Sequence, residues 1–308
     1  MIPIYIGALR SRKLSPLWEN KDDEDTEVKV ISGAEAAKFP FVASGVLLSL
    51  YVAIKYVSPE LVNMLISVYL TLIGAYCTKY YVYMQLKQRK IMEHPWKFKK
   101  MIRIPYFMPN AEALELTYQD FLAYFLVLPL AVLYFYTKNW VICDIFGVAL
   151  SINALENMPI GSFMIGFGLL SALLFYDVFF VFGTDVMLTV AKNIDGPIKL
   201  LFPKVAGGFS MIGLGDIIMP GILITMTLRY DLFRLHKREG KGKNIYFLAS
   251  FTGYALGICA TLCAMLIMER EQPALLYLVP FTIVSILLTA LVTGEFSQLW
   301  LYKEENSE

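Results

Sequence analysis

The sequence is poor in the residues on which most catalytic centres are built. Only two of its 308 residues are histidine, His94 and His236, and both fall in polar stretches. A Ser-His arrangement within the apolar part is therefore excluded, and no zinc-ligand spacing occurs, so neither a metal nor another cofactor is expected. The four cysteines, Cys77, Cys143, Cys259 and Cys263, all sit in apolar segments. Cys259 and Cys263 are four apart on one helix face, which suits packing rather than a disulfide. There is no Asn-X-Ser/Thr acceptor, no broad basic region and no nucleic-acid motif, and the net charge is +1, so no nucleic-acid partner is expected. Charge itself is scarce: 17% of residues are Asp, Glu, Lys or Arg, against about a quarter in soluble domains.

What replaces charge is hydrocarbon. The chain is 57% hydrophobic, and its apolar runs reach the roughly 17–25 residues that cross a bilayer. The alternation of a transmembrane β-barrel is absent. The expected fold is all-α, a polytopic helical bundle with eight full spans: 39–57, 60–83, 120–136, 140–157, 161–183, 209–228, 245–268 and 272–293. Residues 1–9 would extend only about 14 Å as a helix, too short to span, and they lack the basic start and cleavage site of a signal peptide. Three regions follow: 1–38, the start and a first loop; 39–136, the N-terminal spans with a basic loop at 84–119; and 137–308, the remaining spans and tail. Gly253 and Gly257 form a GxxxG in the seventh span, the pattern of a close helix contact.

Lys and Arg gather on one side. Loops 10–38, 84–119, 229–244 and the tail from 294 hold 20 of them, and the alternate loops hold 5. The positive-inside rule places the first set in the cytosol. The acidic run at 21–27 reads as a solvated loop, and the basic stretch 85–100, with Trp96 and Phe98, as a topology determinant or a contact with anionic lipid headgroups.

Sorted by depth, the ionisable residues single out two. Lys55, Lys79, Asp120, Asp144 and Glu156 lie about a turn from a span end, where side chains reach water. Asp177, in LLFYDVFFVFGTD, and Asp216, in GGFSMIGLGDIIMPG, lie clearly inside. Each costs about 2.5–3.5 kcal/mol to insert at a helix centre, and no cation shares their spans. Counted along antiparallel helices at about 1.5 Å per residue, both sit roughly 10 Å below the same face. Asp185, in Gly183-Thr184-Asp185, reads as a turn or cap at the span boundary. Two carboxylates that meet share one proton and so supply a base and an acid together. The ionised member takes a proton from a water, the protonated member donates to a peptide carbonyl, and a gem-diol forms and collapses. Gly213 and Gly215 clear the space beside Asp216. Pro273 and Pro280, in QPALLYLVP, make the start of the last span irregular, leaving backbone groups with which a substrate strand could pair.

Tyr176-Asp177 in FYDVFFVFGT, Gly213–Asp216 in GLGDIIMPG and Pro273-Ala274-Leu275 in QPALLYLVP, each on its own span and in this order, resemble the signal peptide peptidase family of intramembrane aspartyl proteases, relatives of presenilin. VMLTVAKNIDGPIKLLFP, GALRSRK and AAKFP extend the resemblance over most of the chain. It implies an aspartic endopeptidase in which Asp177 and Asp216 are the catalytic pair, and Tyr176, Gly213, Leu214, Gly215, Pro273, Ala274 and Leu275 position substrate. The implied partners are membrane lipids and transmembrane peptides, namely remnant signal peptides and type II membrane proteins. The implied place is the endoplasmic reticulum membrane, with loop 184–208 lumenal and the C-terminus cytosolic. Assembly as a homo-oligomer or in a larger membrane-protein complex is compatible with it. The family has nine spans, and GALR ordinarily follows the first. Only MIPIYI precedes it here, so most of that span is expected to be absent. The tail, ENSE, carries no lysine-type or KDEL-type retention signal. The rival reading of the same two acids is a proton- or cation-coupled transporter or channel.

Overall fold

The computed structural model describes residues 1–12, 30–56, 58–89, 97–102, 112–184, 186, 190, 194, 196–203, 209–237, 243–268 and 272–304. Within these, eight helices are 18 residues or longer: α2 Gly33–Tyr56, α3 Pro59–Gln88, α4 Tyr118–Thr137, α5 Trp140–Asn157, α6 Phe163–Phe182, α7 Leu214–Lys237, α8 Ile245–Met268 and α9 Leu275–Thr293. A short α1, Ile2–Ser11, precedes them and α10, Phe296–Leu301, follows. The architecture is a polytopic helical bundle. Seven of the long helices are apolar enough to span by composition alone. The eighth, α7, carries Asp216, Arg229 and Asp231 and is sheathed by its neighbours.

Local sequence explains the helix starts. Ser58, Thr117, Asn139 and Ser162 accept hydrogen bonds from the first-turn amides of α3, α4, α5 and α6. Thr117 and Asp120 complete a reciprocal capping box, and Asp120 also pairs with Lys79 at 2.5 Å. Arg10 of α1 pairs with Glu156 of α5 at 3.3 Å. Lys79, Asp120 and Glu156 are thus held in ion pairs rather than only reaching for water.

In lipid there is little hydrophobic drive between helices, so small residues and polar bonds decide the packing. At the α8–α9 seam a Cβ on Gly253 would lie 2.5 Å from Ser285 Oγ and 2.7 Å from the Phe281 carbonyl, and one on Gly257 would lie 3.0 Å from Leu278 Cα. The GxxxG is a close helix contact, as its spacing suggests. Cys259 and Cys263, by contrast, are exposed on the outside of α8 instead of packed. Exposed side chains such as Phe41, Tyr136, Ile267 and Val292 form the lipid-facing surface.

Two departures from the sequence reading shape the site. Residues 209–213 are not helix: β3, Lys199–Pro203, and β4, Phe209–Gly213, form an antiparallel hairpin, and α7 starts only at Leu214. Gly213 and Gly215 weaken helix at that end, and pairing with β3 takes up the backbone instead. A second hairpin pairs β1, Lys97–Ile102, with β2, Glu112–Thr117, inside the basic loop. At its other end α7 continues through Lys237, nine residues beyond the expected limit at 228. Arg229 and Asp231, read as loop residues, are buried. Arg229 Nε meets Glu304 Oε1 at 2.7 Å, and Asp231 accepts the Phe247 amide at 2.8 Å. Arg234 adds a bond to Glu295 at 3.0 Å. Residues 13–29, 90–96, 185 and 305–308 lie outside the described residues, and with them the acidic run, His94, Trp96, Asp185 and the ENSE tail.

Candidate active site

α6, α7, α8 and α9 bring the singled-out residues together. Asp177 is five residues from the end of α6 and 4% exposed. Its Oδ2 accepts the Leu275 backbone amide at 3.1 Å. Leu275 is the first residue of α9, where an amide has no intrahelical partner, so the carboxylate satisfies a donor the helix cannot. The next turn of α9 closes on itself: Leu276 donates to the Pro273 carbonyl and Tyr277 to the Ala274 carbonyl, both at 3.2 Å. Of the backbone donors at the start of α9, the Leu275 amide is thus taken by Asp177. Past this turn α9 runs on as helix through Pro280.

Asp216 is the third residue of α7, one turn from the hairpin, rather than the eighth residue of a longer helix. It lies near enough to Asp177 for the charge on one to act on the other, across the direct packing of α6 on α7. The Asp216 carboxylate reaches back to the backbone of Gly213, as acidic residues at this helix position do. A Cβ on Gly213 would sit 3.3 Å from Asp216 Oδ2, whereas among the described residues one on Gly215 would meet no atom outside its own helix turn within 4 Å. Gly213 thus spares the carboxylate, and Gly215 opens away from the described side chains. Leu214 points the other way: it is buried toward Gly147 of α5, and its amide donates to the Ile198 carbonyl at 2.9 Å, fixing the hairpin to the helix start. Tyr176 is half-buried, its ring 4.7 Å from that of Phe180. Pro273 is buried and Ala274 partly so.

Two site contacts escaped the sequence reading. Asp144 of α5 accepts the Leu201 amide at 2.8 Å, closing one outer edge of the β3–β4 hairpin. The Tyr254 hydroxyl of α8 donates to the Asp216 backbone carbonyl at 3.2 Å. By sequence Asp144 is only a shallow acid, and nothing singles out Tyr254. Among the described residues no three His, Cys, Asp or Glu side chains gather in a way that would hold a metal.

The three motifs thus meet on neighbouring helices, with Asp177 buried, Asp216 partly buried and a helix-start amide on Asp177. Comparison with known proteins identifies the family. The family model described as signal peptide peptidase matches residues 21–306. The chain belongs to the signal peptide peptidase family. It is 35% identical over 316 residues to the signal peptide peptidases of Mus musculus and Homo sapiens, covering 99% of this chain and 81% of theirs. It is 32% identical over 312 residues to a probable intramembrane protease of Schizosaccharomyces pombe, covering 100% of this chain and 93% of that one. Family membership and the helical bundle together make this a multi-pass membrane protein of an intramembrane protease family.

Proposed function

We propose that the chain is an intramembrane aspartic endopeptidase in which Asp177 and Asp216 activate one water between them. The observation that carries the reading is the bond of the Asp177 carboxylate to the Leu275 amide where α6 and α9 pack on α7, the helix whose first turn bears Asp216. Two carboxylates that close on one water hold a single proton between them, so one member serves as base while the other serves as acid. The ionised carboxylate deprotonates the water, the protonated one hydrogen-bonds the scissile carbonyl, and a gem-diol forms. Collapse of the gem-diol breaks the C–N bond and passes a proton to the departing amine. The Leu275 amide, held by its helix position, restrains the Asp177 rotamer. Pro273 and Ala274 set where that amide lies.

The substrate has to arrive extended, because helical amides are occupied. β3 offers it little, since Asp144 already takes the Leu201 amide on its outer edge. The outer edge of β4 is unpaired among the described residues, and β4 runs directly into Leu214 and Asp216. A strand added there would pass the open side of Gly215 and reach the acids. The substrates are transmembrane peptides, including remnant signal peptides and type II membrane proteins. The protein acts in the endoplasmic reticulum membrane, with loop 184–208 lumenal and the tail cytosolic, in line with the Lys/Arg distribution.

The test is binding of a peptide analogue carrying a hydroxyl in place of the scissile carbonyl, which mimics the gem-diol. Tight binding to the wild type, lost in Asp177→Ala and in Asp216→Ala alike, is expected. Binding indifferent to both substitutions, with acid-dependent ion flux in vesicles and no peptide cleavage, overturns the reading in favour of a transporter.

A further inference from the structure

In an α-helix the carbonyl of residue i accepts from the amide of residue i+4. For Asp216 that residue is Pro220, which sits inside α7 and has no amide hydrogen. The proline ring also crowds the carbonyl four residues back. The residue that carries the second carboxylate therefore lacks the i+4 donor of its own helix, and a partly buried carbonyl left without a donor is costly.

The missing donor comes from another helix. Tyr254 is 1% exposed, and its hydroxyl reaches the Asp216 carbonyl at 3.2 Å. Its position has little freedom. Gly253 and Gly257 on either side clamp α8 against α9, and Ser250, one turn earlier, bonds Thr227 of α7 at 2.9 Å. We infer that Tyr254 is a positioning residue: its hydroxyl replaces the helical donor that Pro220 denies Asp216, and so fixes the backbone from which the carboxylate is presented. The inference rests on the acid-pair reading of the site. It makes α8, which contributes no carboxylate, part of the machinery, and gives the GxxxG seam a purpose beyond packing.

The pairing of Tyr254 with Pro220 can be tested by rescue. Kinetics of signal-peptide cleavage are measured for wild type, Tyr254→Phe, Pro220→Ala and the double variant, with Asp216→Ala as control and the thermal midpoint of each recorded. Tyr254→Phe is expected to lower kcat roughly five- to hundredfold with KM unchanged. Alanine at 220 returns an amide to the Asp216 carbonyl, so in that background the loss of the hydroxyl is expected to cost far less. An equal loss in both backgrounds, or wild-type kcat in Tyr254→Phe, overturns the inference. Should Tyr254→Phe fail to fold, a folded double variant supports it, and a double variant that also fails to fold overturns it. If Asp216→Ala still cleaves, the acid-pair reading itself falls. If Asp216→Ala is inactive while Tyr254→Phe matches wild type, only this inference falls.

Discussion

Two glycines precede Asp216, one by three residues and one by a single residue, and their substitution is expected to fail in different ways. Gly213 carries no positive φ, so alanine fits its backbone without strain. The added Cβ would lie 3.3 Å from Asp216 Oδ2 and 3.8 Å from Cγ. The first distance is tighter than ordinary van der Waals contact, and the carboxylate must yield by a few tenths of an ångström. Misplacement of a reacting group by about 1 Å costs on the order of 100-fold in rate. Roughly 0.3–0.5 Å then predicts a fall in kcat of about 4- to 10-fold for Gly213→Ala. The fold should be intact, since among the described residues only Asp216 lies within 4 Å of that Cβ. Among the described residues Gly215→Ala meets no atom outside its own helix turn within 4 Å. It sits in the first turn of α7, where alanine is better than glycine by roughly 0.5–1 kcal/mol. Its thermal midpoint should hold or rise, and any loss should appear in KM, because the space it fills is the proposed substrate path. The assay is steady-state cleavage of a signal peptide by purified protein, with kcat and KM separated. A Gly213→Ala variant with wild-type kcat, or one whose defect lies wholly in KM, refutes the reasoning.

Other consequences concern the scaffold and the substrate. Glu304→Ala strands Arg229, 0% exposed, without its carboxylate. It is expected to destabilise the fold by about 3–5 kcal/mol, and an unchanged thermal midpoint in detergent would contradict the burial of that pair. Gly253→Leu drives a side chain into Ser285 Oγ and the Phe281 carbonyl. It should part α8 from α9 and lower both stability and cleavage, and cysteine pairs placed across the seam should cross-link less readily. Stronger helix formers such as Ala and Leu placed around the scissile bond of a substrate should slow its cleavage, because unwinding precedes attack. Equal rates across such a substrate series would count against an extended intermediate.

Much of this was legible in the sequence because hydrophobic runs and buried charge are local signals. The α6 span, read as 161–183, is helix from Phe163 to Phe182, and the two carboxylates of that reading do fall on packed neighbours. Even the GxxxG seam followed from spacing. What stayed hidden was set by partners far along the chain. Arg229 and Asp231 look like loop charges until Glu304, 75 residues on, and the Phe247 amide meet them. The hairpin before α7 was mistaken for helix because FSMIG is apolar enough to be either, and only pairing with Lys199–Pro203 decides it. That error also altered the depth argument, since a strand covers about 3.3 Å per residue instead of 1.5 Å. Pro220 four residues after Asp216 was a readable sign of an orphaned carbonyl. The tyrosine that answers it, 38 residues away, was not.

The central claim is that one water is activated jointly by Asp177 and Asp216 to cut a membrane-spanning peptide. Its most direct test is incubation of detergent-purified protein with a signal-peptide substrate, with mass spectrometry of the products, for wild type, Asp177→Ala and Asp216→Ala in parallel. The account predicts fragments cut within the apolar stretch from the wild type and none from either variant, while both variants keep the elution profile of the folded protein. Cleavage at the wild-type rate by either variant would contradict it.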